Sequence, residues 1–405
     1  MVVLWAMVPR LSQRIQELSE SATIGMSRRS REMREAGIDV ISLSLGEPDF
    51  FTPDFVKEAA KAAIDANYSH YPPIPGYRGL REAIQHKFKR DNSLDYTPEQ
   101  IVVSTGAKQS IANAVLCLIN PGDEVLLPAP YWVSYVEIVK LAGGVPVVIP
   151  TSLENDYKVS RSQLEAHFTE KTRLLIFSSP CNPTGSVFRR EELAQIAAFL
   201  RSQPQVMAIA DEIYELISFE EKAPSLATFP GVYEQVITVN GLSKGFAMTG
   251  WRCGYLGAPA WLAEACTKMQ GQITSAACSI TQKAALAALM ADPNELQGMK
   301  EAFKARRDLV IGLLQNIPGF KTNRPGGAFY LFPEVKELLG SSSEWGRIDS
   351  SEDLCFFLLE KARVALVPGE AFGSPGAVRL SYASAEAELR EALRRIEEAV
   401  KNLKK

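Results

Sequence analysis

Short apolar runs alternate with amphipathic stretches through the middle of this chain, and that alternation narrows the folds open to it more than any other feature. The runs Ile101–Ser104, Val125–Leu127, Val145–Ile149, Leu174–Ser178, Val206–Ala210, Val236–Val239 and Cys253–Leu256 have strand length and are largely apolar. Between them, Ile111–Ile119, Tyr131–Leu141 and Glu191–Leu200 carry apolar residues at helical spacing. Strands buried on both faces and separated by helices predict an α/β domain with a mostly parallel, seven-stranded sheet. Such sheets gather their sites at the carboxyl ends of the strands.

The two ends of the chain follow another pattern. Leu309, Leu313 and Ile317 recur at helical spacing, and Ala328–Phe332, Val364–Val367 and Ala377–Tyr382 read as short strands. Leu389, Leu393, Ile396 and Val400 mark a last amphipathic helix with Ser384 as its N-cap. With 405 residues, the chain exceeds the size of about 250–300 residues at which one core stops growing. The expected division is an N-terminal segment (1–52) joining a smaller α+β domain (300–405), with a large domain (53–299) between them. The N-terminal segment has a charged helix around Arg28–Ala36 and a strand at Val40–Leu45, while Ser-rich Gly340–Asp353 reads as an exposed loop.

Bulk properties exclude several classes of function. A net charge of −3 provides no basic field for nucleic acid, so a small-molecule partner is expected. Cys117, Cys181, Cys253, Cys266, Cys278 and Cys355 show no C-x-x-C spacing, and with His70, His86 and His167 as the only histidines no metal site is expected. The thiols suit a reduced, cytoplasmic protein. Met1–Met7 is apolar but lacks a charged leader and a small-residue cleavage site, so no signal peptide is expected. No run reaches the roughly 20 apolar residues of a membrane span.

Three segments carry the chemistry: Asn182-Pro183-Thr184-Gly185, Asp211-Glu212-Ile213-Tyr214, and Ser243-Lys244 running on to Gly250-Trp251-Arg252. A pyridoxal phosphate enzyme needs a lysine amine for a Schiff base, an acid for the pyridine nitrogen and an anchor for the phosphate. Lys244 supplies the first. Asp211, ending an apolar strand, supplies the second at the sheet's carboxyl edge. Thr105-Gly106-Ala107-Lys108-Gln109 passes from strand to helix, where backbone N–H groups can hold a phosphate, although the same string also suits a plain tight turn. Arg252 offers the phosphate a bidentate contact or, alternatively, makes a structural ion pair. Tyr214 and Asn182 can bond the ring's phenolic oxygen, and Trp132 can stack on the ring or simply fill core. Arg379, in an apolar strand, requires an anionic partner: a substrate α-carboxylate, or a buried Asp or Glu.

In this order the segments resemble the class I and II aminotransferases of the aspartate aminotransferase fold, PLP fold type I. The likeness extends over Leu45–Phe50, Tyr71–Gly76, Pro130–Tyr135, Gly326–Tyr330 and Val378–Tyr382. It implies Lys244 as Schiff base and proton shuttle, Asp211 at the pyridine nitrogen, and Tyr214 and Asn182 at the ring oxygen. It also implies Gly106, Ala107, Lys108, Ser243 and Arg252 at the cofactor, Trp132 against its ring, and Gly46 and Arg379 at the substrate carboxylate. Tyr71 would reach the phosphate of a neighbouring subunit, which implies a homodimer with composite sites.

The Gly-Ala-Lys-Gln string is similar to the branch called subgroup 1β. There a lysine at the place of Lys108 recognises a dicarboxylic side chain, helped by hydroxyls corresponding to Ser21 and Thr23. The branch's usual Lys-Pro-Ser-Ala-Thr is Ser19-Glu20-Ser21-Ala22-Thr23 in this chain, which removes a positive charge and argues against prephenate. The resemblance therefore implies aspartate:2-oxoglutarate transamination, with prephenate, aromatic or broad specificity as the alternative. A non-catalytic regulator with an aminotransferase-like domain would need a DNA-binding module, for which the chain shows no pattern.

Overall fold

The computed structural model describes residues 11–20, 22–220, 224–344 and 346–404. The expectations for Met1–Met7 and for Ser21 lie outside them. In chain order the strands are β1 Ile41–Ser42, β2 Ile101–Ser104, β3 Glu124–Ala129, β4 Val145–Pro150, β5 Thr172–Ser178, β6 Met207–Asp211, β7 Val236–Gly241 and β8 Gly254–Gly257. There follow β9 Tyr330–Leu331, β10 Ser342–Ser343, β11 Gly346–Arg347, β12 Val364–Ala365, β13 Val367–Pro368 and β14 Val378–Ser381.

Seven strands form the central sheet, in the order β2-β8-β7-β6-β5-β3-β4. All pairs are parallel except those of β8, which runs antiparallel to both β2 and β7. The period-two alternation of strand side chains separates the sequence into two cores. Val103, Leu126 and Leu175 join Phe88, Phe199 and Ala284 from one layer of helices. Val102, Val125, Ile176 and Ile237 join Ile111, Val139 and Leu262 from the other. Burial on both faces explains why these strands read as continuous apolar runs.

The antiparallel return of β8 positions the chemistry. An antiparallel neighbour needs only a short connection, whereas a parallel one needs a crossover. The chain therefore leaves the carboxyl end of β7, passes through Ser243–Arg252 and re-enters as β8, keeping Lys244 and Arg252 at the edge where β5 and β6 also deliver Ser178 and Asp211.

A further core gathers Phe303, Phe329, Leu358, Leu380 and Ile396 with Met26 and Leu43 from the N-terminal segment. Here β1 pairs in parallel with β12, Ile41 opposite Val364, and β13-β14-β9 form an antiparallel sheet. The expected strand Val364–Val367 divides at Leu366 into β12 and β13, which belong to different sheets. Gly340–Asp353 is more ordered than expected: β10 and β11 pair as a hairpin, Ile348 is buried, and a Ser350/Asp353 capping box starts the helix Ser351–Phe357. The last helix, Glu386–Lys401, has Ala385 rather than Ser384 at its N-cap, because the Ser384 hydroxyl donates to the Glu388 carboxylate instead.

Candidate active site

A cavity of about 540 Å³ opens at the carboxyl edge of the sheet, lined among others by Asp211, Tyr214, Lys244, Arg252 and Arg379. Strand β6 ends at Asp211, whose carboxylate is buried in the sheet edge. The Tyr135 hydroxyl donates to its Oδ2 at 2.7 Å and the Ile213 N–H to its Oδ1 at 3.3 Å. Burial pushes the Asp211 pKa up to about 6 against these bonds. A cationic ring N–H beside this carboxylate would relieve that cost.

Lys244 is half-buried, with its ammonium donating to the Gly46 carbonyl at 2.5 Å. Burial brings its pKa down to about 8; Glu47 opposes the fall, while Arg379 and Arg252 add to it. An amine so placed exists in part as the free base near neutral pH, which a nucleophilic lysine requires. Tyr214 lies under it, ring centroid 5.8 Å from Nζ, and shares a hydrogen bond of 2.8 Å with the Tyr330 hydroxyl.

The segments that the sequence expects at a phosphate, Gly106–Lys108 and Arg252, meet in the fold. Gly106 caps the helix Ala107–Leu118 with φ +89°, and the first-turn N–H groups of that helix lack intrahelical acceptors. A Cβ on Gly106 would collide with the Arg252 guanidinium, and one on Gly254 with the Ala107 backbone nitrogen. Arg252 donates to the carbonyls of Thr249 at 2.9 Å and Thr105 at 3.3 Å, so its partners are main-chain oxygens rather than a carboxylate. Trp132 lines the cavity with Lys108 stacked on it, Nζ 5.0 Å from the ring centroid; burial and the nearby Arg252 lower the Lys108 pKa.

Arg379 is the residue whose partner the sequence left open. Among the described residues its partners are the Asn182 side-chain oxygen at 3.0 Å and the Ser44 carbonyl at 2.6 Å, with no Asp or Glu. Its Nε is buried without a partner, and the guanidinium lies 4.7 Å from the Tyr330 ring centroid. A buried cation that lines a cavity and has no carboxylate partner among the described residues fits an anionic ligand.

Gly46, Ala107, Ser243 and Thr23 also line the cavity, and the Thr23 hydroxyl is buried with no partner. Tyr71 does not line it: its side chain is 94% exposed. Sequence reasoning gave no role to Tyr135, Tyr330, Glu47 or Ser178, whose hydroxyl is buried without a partner at the cavity wall. Tyr135 and Tyr330 lie inside recognised segments, but only the folded pairings with Asp211 and Tyr214 reveal what they bond. No group of His, Cys, Asp and Glu that could hold a metal occurs among the described residues.

The cavity thus combines a half-buried amine, an acid suited to a protonated ring nitrogen, an anion cradle that a Cβ would fill, and a second, buried cation. Pyridoxal 5′-phosphate fits that donor set. The Aminotransferase class I and II family model matches residues 38–396. The chain is 46% identical over 399 residues to a bifunctional aspartate aminotransferase and glutamate/aspartate-prephenate aminotransferase from Petunia hybrida, covering 97% of this chain and 83% of the relative. The crystal structure of the aspartate aminotransferase from Rhizobium meliloti superposes with a TM-score of 0.95 at 40% identity, covering 98% of this chain and all of that one. That of Thermus thermophilus aspartate aminotransferase with maleate gives 0.91 at 38% identity, covering 97% of this chain and 100% of the other. With the family model spanning most of its length and close relatives matching it nearly end to end, the chain belongs to the class I and II aminotransferases, enzymes that depend on pyridoxal phosphate.

Proposed function

We propose that this protein transfers the amino group of aspartate to 2-oxoglutarate in two half-reactions at the one cavity. The observation that carries the reading is the coexistence in that cavity of a half-buried lysine with a lowered pKa and a buried arginine that has no carboxylate partner among the described residues. Bound pyridoxal phosphate supplies an electron sink for the substrate's Cα carbanion. Arg379 holds the α-carboxylate, beside Gly46. Lys244 removes the proton from Cα and returns it to C4′ of the cofactor. Asp211 keeps a proton on the ring nitrogen, and Tyr214 and Asn182 donate to the ring oxygen. Gly106, Ala107, Lys108, Ser243 and Arg252 would hold the phosphate, and Trp132 would lie against the ring.

Lys108, between this cavity and an adjoining one of about 380 Å³, is the cation placed to meet a side-chain carboxylate, with Thr23 and Ser21 beside it in the sequence-based reading. The Thermus relative crystallised with maleate, a dicarboxylate, supports this. The name of the Petunia relative favours prephenate as a second acceptor. Against it, the adjoining cavity is lined by Glu20, Glu137 and Glu370, with Glu20 paired to Arg28 at 2.6 Å. Following the cofactor's absorbance as each amino acid is added tests the assignment. Aspartate and glutamate should convert it fastest; faster conversion by phenylalanine or leucine would refute it, and adding prephenate to the amine form tests the second acceptor.

We further infer a cytoplasmic homodimer, with domains at 1–52, 53–299 and 300–405. Among the described residues no helix is long and apolar enough to cross a membrane. Tyr71 and Phe51, 94% and 92% exposed, support a covering partner, with the partner subunit's Tyr71 completing the phosphate site. Mixed dimers of Tyr71→Ala and Lys244→Ala subunits should show activity above that of either homodimer, and mixed dimers in which no activity returns would refute the crossing.

A further inference from the structure

Immediately after Asp211 the chain turns Glu212 to the other side of the sheet, into a buried polar cluster that the proposed mechanism does not use. Ser225 Oγ donates to Glu212 Oε2 at 2.6 Å and Asn92 Nδ2 donates to the same oxygen at 3.1 Å. Asn92 also donates to Glu215 Oε2 at 2.6 Å. Lys87, buried at 2% exposure, donates to Asn92 Oδ1 at 2.7 Å and pairs with Glu215 Oε1. Lys87 and Asn92 come from the helix Arg78–Asn92, so the cluster ties a covering helix to the loop behind the cavity.

The same cluster borders the Lys244 connection. Lys87 and Glu215 share a cavity of about 20 Å³ with Asn240 and Gly241, the end of β7, and Asn240 Nδ2 is buried without a partner. Loop backbone bonds complete the clamp: the Glu212 N–H donates to the Val239 carbonyl at 2.9 Å and the Ile217 N–H to the Tyr214 carbonyl at 2.8 Å. Two carboxylates face one ammonium there. Burial, then the charge of Glu215, pushes the Glu212 pKa up to about 8. A buried cluster of this kind is costly to desolvate, and apolar residues of similar volume would often be as stable or more so. What it provides is a fixed loop geometry on the far side of Asp211.

We propose that Glu212 is a positioning residue, clamped by Asn92 and Ser225 and backed by Lys87 and Glu215, that fixes the loop leaving β6 at Asp211 and carrying Tyr214, so that the Asp211 carboxylate at the strand end meets the cofactor's ring nitrogen. The inference rests on the assignment of Asp211 above. A positioning error of about 1 Å costs up to about 10²-fold in rate.

The test compares the holoenzymes of Glu212→Ala, Glu212→Gln and Ser225→Ala with wild type and with Asp211→Asn. The readouts are the half-reaction rate with aspartate, KM, the pH titration of the bound cofactor's absorbance, and Tm. Glu212→Ala should slow the half-reaction about 10- to 100-fold, leave KM within about twofold, and displace the spectral titration. Glu212→Gln, which keeps the acceptor oxygen, should restore both the rate and the titration. Ser225→Ala should displace the titration in the same direction by less, and it decides the matter if Glu212→Ala does not fold. A lowered Tm with unchanged rate and titration would overturn the proposal. If Asp211→Asn itself leaves the half-reaction unchanged, the assignment of Asp211 fails; if Asp211→Asn is severe and the Glu212 and Ser225 variants are silent, only the positioning role fails.

Discussion

Replacing Tyr135 by phenylalanine should change the proton affinity of a residue that phenylalanine does not touch by charge. The Tyr135 hydroxyl donates to Asp211 at 2.7 Å inside the protein, and burial already holds that carboxyl up to about 6. A hydrogen bond to a charged group nets about 1.5–3 kcal/mol, and one pH unit corresponds to about 1.36 kcal/mol. Removing the bond therefore raises the Asp211 pKa by about 1 to 2 pH units. At pH 7 the ionised fraction of the cofactor-free protein drops from about nine-tenths to between about one-half and one-tenth. Since folding raises this pKa, the stability it contributes is complete below about pH 4 and lost as pH rises through the folded value of about 6. In the variant that loss continues to about pH 7–8. Urea unfolding of both cofactor-free proteins, at equal concentration and at intervals from about pH 5 to 8.5, reads the difference. The variant's deficit should widen by about 1.5–3 kcal/mol between pH 6 and 8. Parallel stability curves would show that Tyr135 does not control Asp211 and refute the argument.

The depressed Lys244 pKa of about 8 sets how fast the cofactor-free protein captures pyridoxal phosphate. Capture followed by absorbance should slow about tenfold per pH unit below that value, and Lys244→Ala should neither develop the absorbance nor turn over. Gly106→Ala introduces a Cβ at φ +89° against the Arg252 guanidinium, so equilibrium dialysis should show cofactor affinity weakened by about tenfold or more. Lys108→Met should lower kcat/KM for aspartate and glutamate by about 10- to 100-fold, with phenylalanine and leucine unaffected; an equal loss for all four would assign Lys108 to the cofactor instead.

The large sheet was legible because its strands are buried on both faces, so each is a continuous apolar run that needs no partner to be recognised. All seven runs became neighbours in one sheet. The smaller unit was harder to read. Its strands are two to four residues long, and the residues around Leu366 carry the same apolar signal whether they continue one strand or switch sheets. The lysine, the acid and the phosphate turn each follow a strand end, which a linear pattern can express. The hydrogen bond from Tyr135 to Asp211 spans 76 residues and that from Arg379 to Asn182 spans 197, and only closure of the fold brings such groups together.

The pairing of β1 with β12 gives the chain a schedule of assembly. A chain emerging from the ribosome in order completes β2 through β8, and with them Asp211, Lys244 and Arg252, while Ile41–Ser42 still waits for Val364–Ala365. The carbonyl of Ser44 waits in the same way for Arg379, 335 residues further along. A nascent chain can thus form the cradle proposed for the cofactor before it has the arginine proposed for the substrate carboxylate. β1, made before the whole of the large sheet, is among the last strands to find its neighbour, so the segment around Val40–Leu45 stays unpaired throughout that interval.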